Sequence, residues 1–220
     1  TLLEFNEEDT SVKAGLAKEW EVSEDGLTYT FKLQEGVKFH DGTDFNAEAV
    51  KANFERWSAG AKDEFYYYNS MFRAEDKDLI TSIETPDANT VVITLARPQA
   101  PFLKNIAMAV FGIASPAAFE NLGENPVGTG PFKFQEWKRN DSITLVKNEE
   151  YWQEGLPKLD TLIFRSIPDN SARLNELIAG NIDLADGINP SDAETVSGDA
   201  NLQLIERPSM NVGYLGLTAT

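Results

Sequence analysis

The chain of 220 residues has no cysteine and a single histidine. Without thiols it can form neither a disulfide nor a thiolate metal site within these residues. One histidine and no H-E-x-x-H spacing leave zinc of the usual kind short of ligands. No apolar run approaches the ~20 residues that span a bilayer. The opening Thr1-Leu-Leu-Glu-Phe-Asn6 has neither a basic region nor a cleavage site, so the protein either stays inside the cell or has already lost a signal. Positive charge is also scarce: 19 Lys and Arg stand against 36 Asp and Glu, a net charge of −17. Phosphate backbones are bound by clustered cations, so nucleic acid is not an expected partner. The acids are spread along the chain rather than gathered in a tail, as on a solvated acidic surface.

The chemistry-bearing motifs are equally thin. No G-x-S-x-G elbow occurs. Gly128-Thr-Gly130 has the look of a phosphate loop, but Pro131 removes an N–H, no third glycine follows and no Gly-Lys-Ser/Thr appears. Carboxylate pairs such as Asp183 and Asp186 are what 36 acids produce by chance. His40, beside Asp41 and near Asp44, reads as part of a hydrogen-bonded turn rather than a catalytic or metal-binding pair. Neither an enzyme nor a cofactor is expected.

What is present is a soluble globular composition, 41% hydrophobic and 25% charged, long enough for one large domain or two modest ones. Glu19–Val22 and Leu27–Leu33 flank Asp25-Gly26 as a β-hairpin. Asn46 can cap a helix carrying Val50, Phe54 and Trp57 on one face. Ile80–Glu84 and Thr90–Leu95 form a second hairpin around Pro86–Asn89. Pro98–Pro101 opens a short helix with Phe102, Leu103 and Ile106, Phe111–Ala114 reads as a strand, and Ser115-Pro116 starts another short helix. Phe65–Tyr68, with Met71 and Phe72, is a dense aromatic cluster that packs a subdomain or meets a ligand. Leu159–Arg165 reads as a more buried strand, Asp169–Ala179 as a helix ended by Gly180, and Asn181–Leu184 as a strand completing a parallel β-α-β unit.

The most informative stretch is Asn125–Trp152, NPVGTGPFKFQEWKRNDSITLVKNEEYW. A Gly/Pro turn, Pro126–Pro131, precedes two strands joined at Arg139-Asn140-Asp141, and the segment closes on Tyr151-Trp152. Glycines at 128 and 130 permit backbone angles or close approaches that a side chain blocks. The stretch reads as a structural hairpin or as backbone passing beside a ligand cleft.

This passage resembles the family-5 solute-binding proteins of bacterial ABC importers, the dipeptide-, oligopeptide- and nickel-binding receptors. Gly15–Leu33 (GLAKEWEVSEDGLTYTFKL) is similar to the family's signature segment and Gly36–Gly42 (GVKFHDG) to its continuation. Phe45–Val50 resembles the start of the next family helix, and Met210–Gly216 the strand leading to the second lobe. The resemblance implies an α/β (mixed α+β) fold: a periplasmic-binding-protein-like lobe with a mostly antiparallel insertion subdomain, and a second lobe absent from these residues. Residues 1–17 would start the main lobe, 18–120 form the insertion subdomain, and 121–220 return to the main lobe and end at a hinge. The chain would then be a fragment of a longer receptor.

The function so implied is capture of peptides outside the membrane and delivery to an ABC permease. It would act as a periplasmic or cell-surface monomer, with any lipid anchor outside this chain. Gly128, Thr129 and Gly130, with Asn211 and Tyr214 on the hinge strand, are the expected ligand-facing residues. A nickel complex, an oligosaccharide or haem would be alternative cargoes, and a ligand-sensing regulator an alternative role. A chain lacking half of a two-lobed clamp is expected to bind peptide weakly or not at all.

Overall fold

The structure is a computed structural model that describes residues 1–60, 64–74 and 77–206. The chain opens with a two-stranded antiparallel pair, β1 (Leu3–Phe5) and β2 (Val12–Ala14). β3 (Ala17–Val22) and β4 (Thr28–Leu33) follow as the first hairpin, then helices α1 (Ala47–Ala59) and α2 (Tyr66–Phe72). A two-residue ladder, β5 (Arg73–Ala74) with β6 (Lys77–Asp78), leads into the second hairpin, β7 (Ile80–Asp87) and β8 (Thr90–Leu95). After the short α3 (Phe102–Ile106) come β9 (Phe132–Lys138), β10 (Ser142–Lys147) and β11 (Thr161–Arg165). Helices α4 (Asn170–Ile178) and α5 (Ala193–Gly198) follow. The chain divides into two compact units, one of Thr1–Lys138 with Ile143–Phe164, the other of Arg139–Ser142 with the residues from Arg165 onward.

Both expected hairpins are present and merge into one antiparallel sheet of order β3-β4-β8-β7. Gly26 supplies the positive φ (68°) of the first turn. Alternation sends Tyr29, Phe31 and Leu33 of β4 and Val91, Ile93 and Leu95 of β8 to one buried face. The register sets Phe31 opposite Val91 and Tyr29 opposite Ile93. The Asn46 side chain accepts from Ala49 N–H at 2.9 Å, the expected cap, and Glu48 sits in the first turn. Val50, Phe54 and Trp57 are buried on one face of α1.

Ring contacts then carry the core across the unit. Phe54 meets Trp57 (4.8 Å between centroids), Trp57 meets Phe111 (5.3 Å), Phe111 meets Phe72 (5.3 Å) and Phe72 meets Phe102 (5.6 Å). Tilted and edge-on rings of this kind add to the stabilisation from buried area alone. The aromatic cluster at residues 65–72 divides accordingly: Tyr68 and Phe72 are core, while Tyr66 and Tyr67 are exposed.

Three expectations are corrected. Phe111–Ala114 is not a strand, because a side chain takes the place of a strand partner: Asn53 Nδ2 donates to the Ala114 carbonyl (2.8 Å) and its Oδ1 accepts from Ala114 N–H (3.0 Å). Leu159–Arg165 contributes a strand, but an exposed one. β11 is the edge of the sheet β11-β10-β9, and Ile163 and Phe164 are 57% and 55% exposed. The bonds Lys147 N–H to Asp160 O and Ser166 N–H to Asp141 O run it antiparallel to β10.

In the second unit α4 forms as expected, capped by Asp169 and followed by Gly180 at φ 71°. Asn181–Leu184 makes no strand, so the parallel β-α-β unit is absent there. Leu184 is 77% exposed, so its apolar alternation is not matched by a buried face.

Asn53 is fully buried, and Nδ2 also donates to Ala49 O at 2.8 Å. Asn53→Ala leaves both polar groups of Ala114 without their partner, so unfolding free energy should fall by about 2 kcal/mol. Urea denaturation should show this as a lower midpoint at unchanged slope; an unchanged midpoint would show that the clamp contributes nothing.

Candidate functional site

The turn ahead of β9 lies inside the first unit and is held by side and main chains from three separate segments. The Val127 carbonyl accepts from Ser115 N–H (3.0 Å), the Gly128 carbonyl from His40 N–H (2.8 Å), and the Pro131 carbonyl from Asn148 N–H (2.8 Å). The Gly130 carbonyl accepts twice, from His40 Nε2 (2.9 Å) and Asn148 Nδ2 (3.1 Å). His40 Nδ1 faces Gly128 N–H at 3.4 Å. Asn148 is buried, and its Oδ1 accepts from Glu150 N–H, shaping the turn that presents Tyr151 and Trp152.

His40 itself stands on the expected hydrogen-bonded turn. Phe39 N–H donates to Thr43 O and Gly42 N–H to Phe39 O. Asp41 is the turn's anchor: Oδ1 accepts from the Thr43 hydroxyl (2.6 Å) and N–H (3.0 Å), and Oδ2 from the Ser115 hydroxyl (2.6 Å). Burial disfavours the ionised Asp41 carboxylate, but these bonds outweigh burial and hold it below its usual range. Burial pushes the His40 imidazole down, helped by Lys133 and opposed by the Gly130 bond and Asp41, so the ring is neutral at physiological pH. Although Ser115, Asp41 and His40 lie close in space, Asp41 bonds Ser115 and Thr43 while the ring bonds Gly128 and Gly130, so no charge-relay order exists.

Gly128, Thr129, Gly130 and Pro131 line a cavity of about 260 Å³. Leu16 and Ile113 give it an apolar base, Tyr151 and Trp152 an aromatic flank, and Glu4 an acidic one. Burial, then the nearby Glu4 charge, raises the Tyr151 phenol, which stays protonated as a donor. Among the described residues, the N–H groups of Thr129 and Gly130 and the Thr129 carbonyl make no hydrogen bond within the chain.

The expected reason for the two glycines is corrected. Neither has a left-handed φ, and a Cβ built on Gly128 or Gly130 would meet nothing nearer than a backbone oxygen at 3.9 or 4.0 Å. Backbone strain and internal crowding do not demand glycine here; what glycine preserves is open space along the cavity.

A second cavity, of about 150 Å³ beside Phe54, Ser58, Tyr68 and Asp78, has its polar groups already paired. Arg73 Nε donates to Asp78 Oδ1 (2.7 Å) and Ser58 Oγ to Asp78 Oδ2 (2.5 Å), while burial pushes Tyr68 up to about 12.

Of the five sequence-predicted residues, Gly128, Thr129 and Gly130 come together on the cavity wall. Asn211 and Tyr214 lie outside the described residues. Sequence reasoning missed Asn148 and Glu4 as neighbours of the wall, and took His40 for a local turn residue without its reach to Gly130. Among the described residues no cluster of His, Cys, Asp or Glu suited to a metal occurs, and no helix is long and apolar enough to cross a membrane.

The arrangement brings together main-chain donors and an acceptor, an apolar base and aromatic rings around open space. The sequence matches the family of bacterial extracellular solute-binding proteins, family 5 (middle region), over residues 11–220, and the chain belongs to that family. It is 38% identical over 218 residues to the glutathione-binding protein GsiB of Escherichia coli K12, covering 97% of this chain and 41% of that protein. The periplasmic binding protein DppA of Helicobacter pylori, solved with the peptide STSA, superposes with TM-score 0.79 at 36% identity, over 91% of this chain and 43% of that one. NikZ of Campylobacter jejuni, solved with Ni(L-His), superposes with TM-score 0.75 at 31% identity, over 91% and 39%. The chain thus spans about two-fifths of the length of the relatives it matches. These relatives are solute-binding proteins rather than enzymes.

Gly→Ala at a position that tolerates a Cβ stabilises a fold by about 0.4–1 kcal/mol through the unfolded chain. Gly128→Ala and Gly130→Ala should each do so, read as a raised urea midpoint. A loss of stability would mean that the turn itself, and not the space beside it, requires glycine.

Proposed function

We propose that this chain supplies one ligand-facing wall of the substrate-binding component of a bacterial ABC importer, and that its cargo is a short peptide. The observation that carries the reading is the wall itself: the N–H groups of Thr129 and Gly130 and the Thr129 carbonyl, unpaired among the described residues, beside Tyr151 and Trp152. An extended peptide offers complementary groups at every residue, as in strand addition. Glu4, which lines the same cavity with its carboxylate 3.9 Å from the Lys13 ammonium, adds negative charge on the side of a peptide's cationic end. Asn211 and Tyr214 are proposed as further contacts on the hinge strand.

In this reading residues 18–120 form an insertion subdomain, and residues 1–17 and 121–220 belong to the main lobe of a longer receptor. A second lobe closes on the ligand, and binding shifts the population to the closed form that the permease recognises. The receptor works as a monomer outside the cytoplasmic membrane, held there, where it is held, by an anchor outside this chain.

Native mass spectrometry of the receptor, with identification of what co-purifies, tests the cargo. Short peptides of mixed sequence are the expected result. A single metal chelate, sugar or haem species would keep the family and overturn the peptide. Gly130→Ala in that receptor should weaken peptide capture by about tenfold, ~1.4 kcal/mol, because its methyl enters the open space; unchanged affinity would remove the turn from the site.

A further inference from the structure

We propose that His40 is the positioning residue of the cavity wall: its neutral ring fixes the Gly128–Gly130 backbone, and taking up a proton releases that backbone. The inference rests on the proposed cleft for its meaning in ligand capture, but not for its test.

The tautomer follows from the partners. The Gly130 carbonyl can only accept, so Nε2, 2.9 Å away, must carry the proton. Gly128 N–H can only donate, so Nδ1 must be bare. With His40 N–H bonded to Gly128 O, one residue grips both ends of the three-residue turn. Imidazolium cannot keep this arrangement. A proton on Nδ1 would point at Gly128 N–H, converting the acceptor into a second donor. The Nε2 bond survives protonation, so the change falls on the Gly128 end and on the Thr129 and Gly130 N–H groups beyond it.

The charged surroundings do not rescue the cation. From β9, Lys133 opposes it, with Glu150 3.9 Å from the Lys133 ammonium. From its own loop, Asp41 favours it, but that carboxylate's bonds go to Ser115 and Thr43. Lys38 of the same loop pairs with Asp44 at 2.8 Å, and Asn148, which shares the Gly130 carbonyl, is neutral.

The sign follows from linkage. A histidine depressed in the fold binds fewer protons there than in the unfolded chain. Its stabilisation is therefore complete above the unfolded value of 6.5 and is lost as pH falls below it towards the folded value. Asp41 titrates below 3.8, in a separate window.

The chain's only histidine gives a single imidazole to follow. Nitrogen-15 spectra of the 220-residue chain between about pH 8 and about pH 5 should show the Nε2–H tautomer and a midpoint below 6.5. The Gly128 and Gly130 amide resonances should move with the same midpoint. His40→Gln keeps a donor near Gly130 O without a titrating group, and both amides should then stay flat across the window. An Nδ1–H tautomer, glycine amides that ignore the His40 midpoint, or the same titration surviving in His40→Gln would each overturn the proposal. If the Gln variant does not fold, the wild-type titration alone decides. A wall that titrates with His40 in a receptor that carries no peptide would keep the device and sink the cargo. Captured peptide with a wall indifferent to His40 would do the reverse.

Discussion

The wall of the cavity is backbone that belongs to no helix and no sheet, and the structure depends on how that backbone is paired. Buried peptide groups without a partner are costly, and regular secondary structure is the usual remedy. Here a few amide and imidazole side chains substitute for a neighbouring strand. Asn53 reaches from α1 to both polar groups of Ala114, and Asn148 and His40 meet at the Gly130 carbonyl. Each is itself immobilised: Asn53 by its bond to Ala49 O within α1, Asn148 by burial, and His40 by the Asp41-anchored turn. The position of the loop is thereby set by packed elements, so the cavity wall takes its shape from the fold itself.

Those rigid elements owe their rigidity to the aromatic contacts running from Phe54 through Trp57, Phe111 and Phe72 to Phe102. Phe111 lies three residues before the Ala114 that Asn53 clamps and four before Ser115, which bonds both Val127 O and Asp41. Packing and polar pairing therefore act on the same short segment. The core fixes where residues 111–115 run, and hydrogen bonds transmit that placement to residues 127–130.

Features encoded in local sequence were legible in advance. The Asp25-Gly26 hairpin, the Asn46 cap, the face of α1 and the helix after Asp169 ended by Gly180 each depend on residues a few positions apart, and all formed as read. What failed depended on long-range partners. Phe111–Ala114 has strand composition, but its partner is a side chain 61 residues away. Asn181–Leu184 alternates as a strand should, yet alternation does not supply an edge to pair with. At the site, the glycine-rich turn was visible as composition, whereas its braces are 90 and 18 residues distant and nothing local links them to it. The glycines were noticed for a backbone reason and matter for the space they leave.

That last distinction bears on why one fold accommodates different solutes. A wall made of side chains selects by their chemistry, and changing the cargo means rebuilding it. A wall of peptide groups beside aromatic rings offers donors, an acceptor and polarisable surface to anything with complementary polarity. Solved relatives of similar fold carry a peptide in one case and a nickel–histidine complex in another, and a main-chain wall is compatible with both. If this wall meets the solute as proposed, selectivity has to come from side chains on other surfaces. Among the described lining residues the ionisable groups beside the rings are Glu4, 3.9 Å from the Lys13 ammonium, and the α-amino group of Thr1. Because the Glu4 carboxylate is shared with Lys13, this wall does not by itself set the charge of a solute.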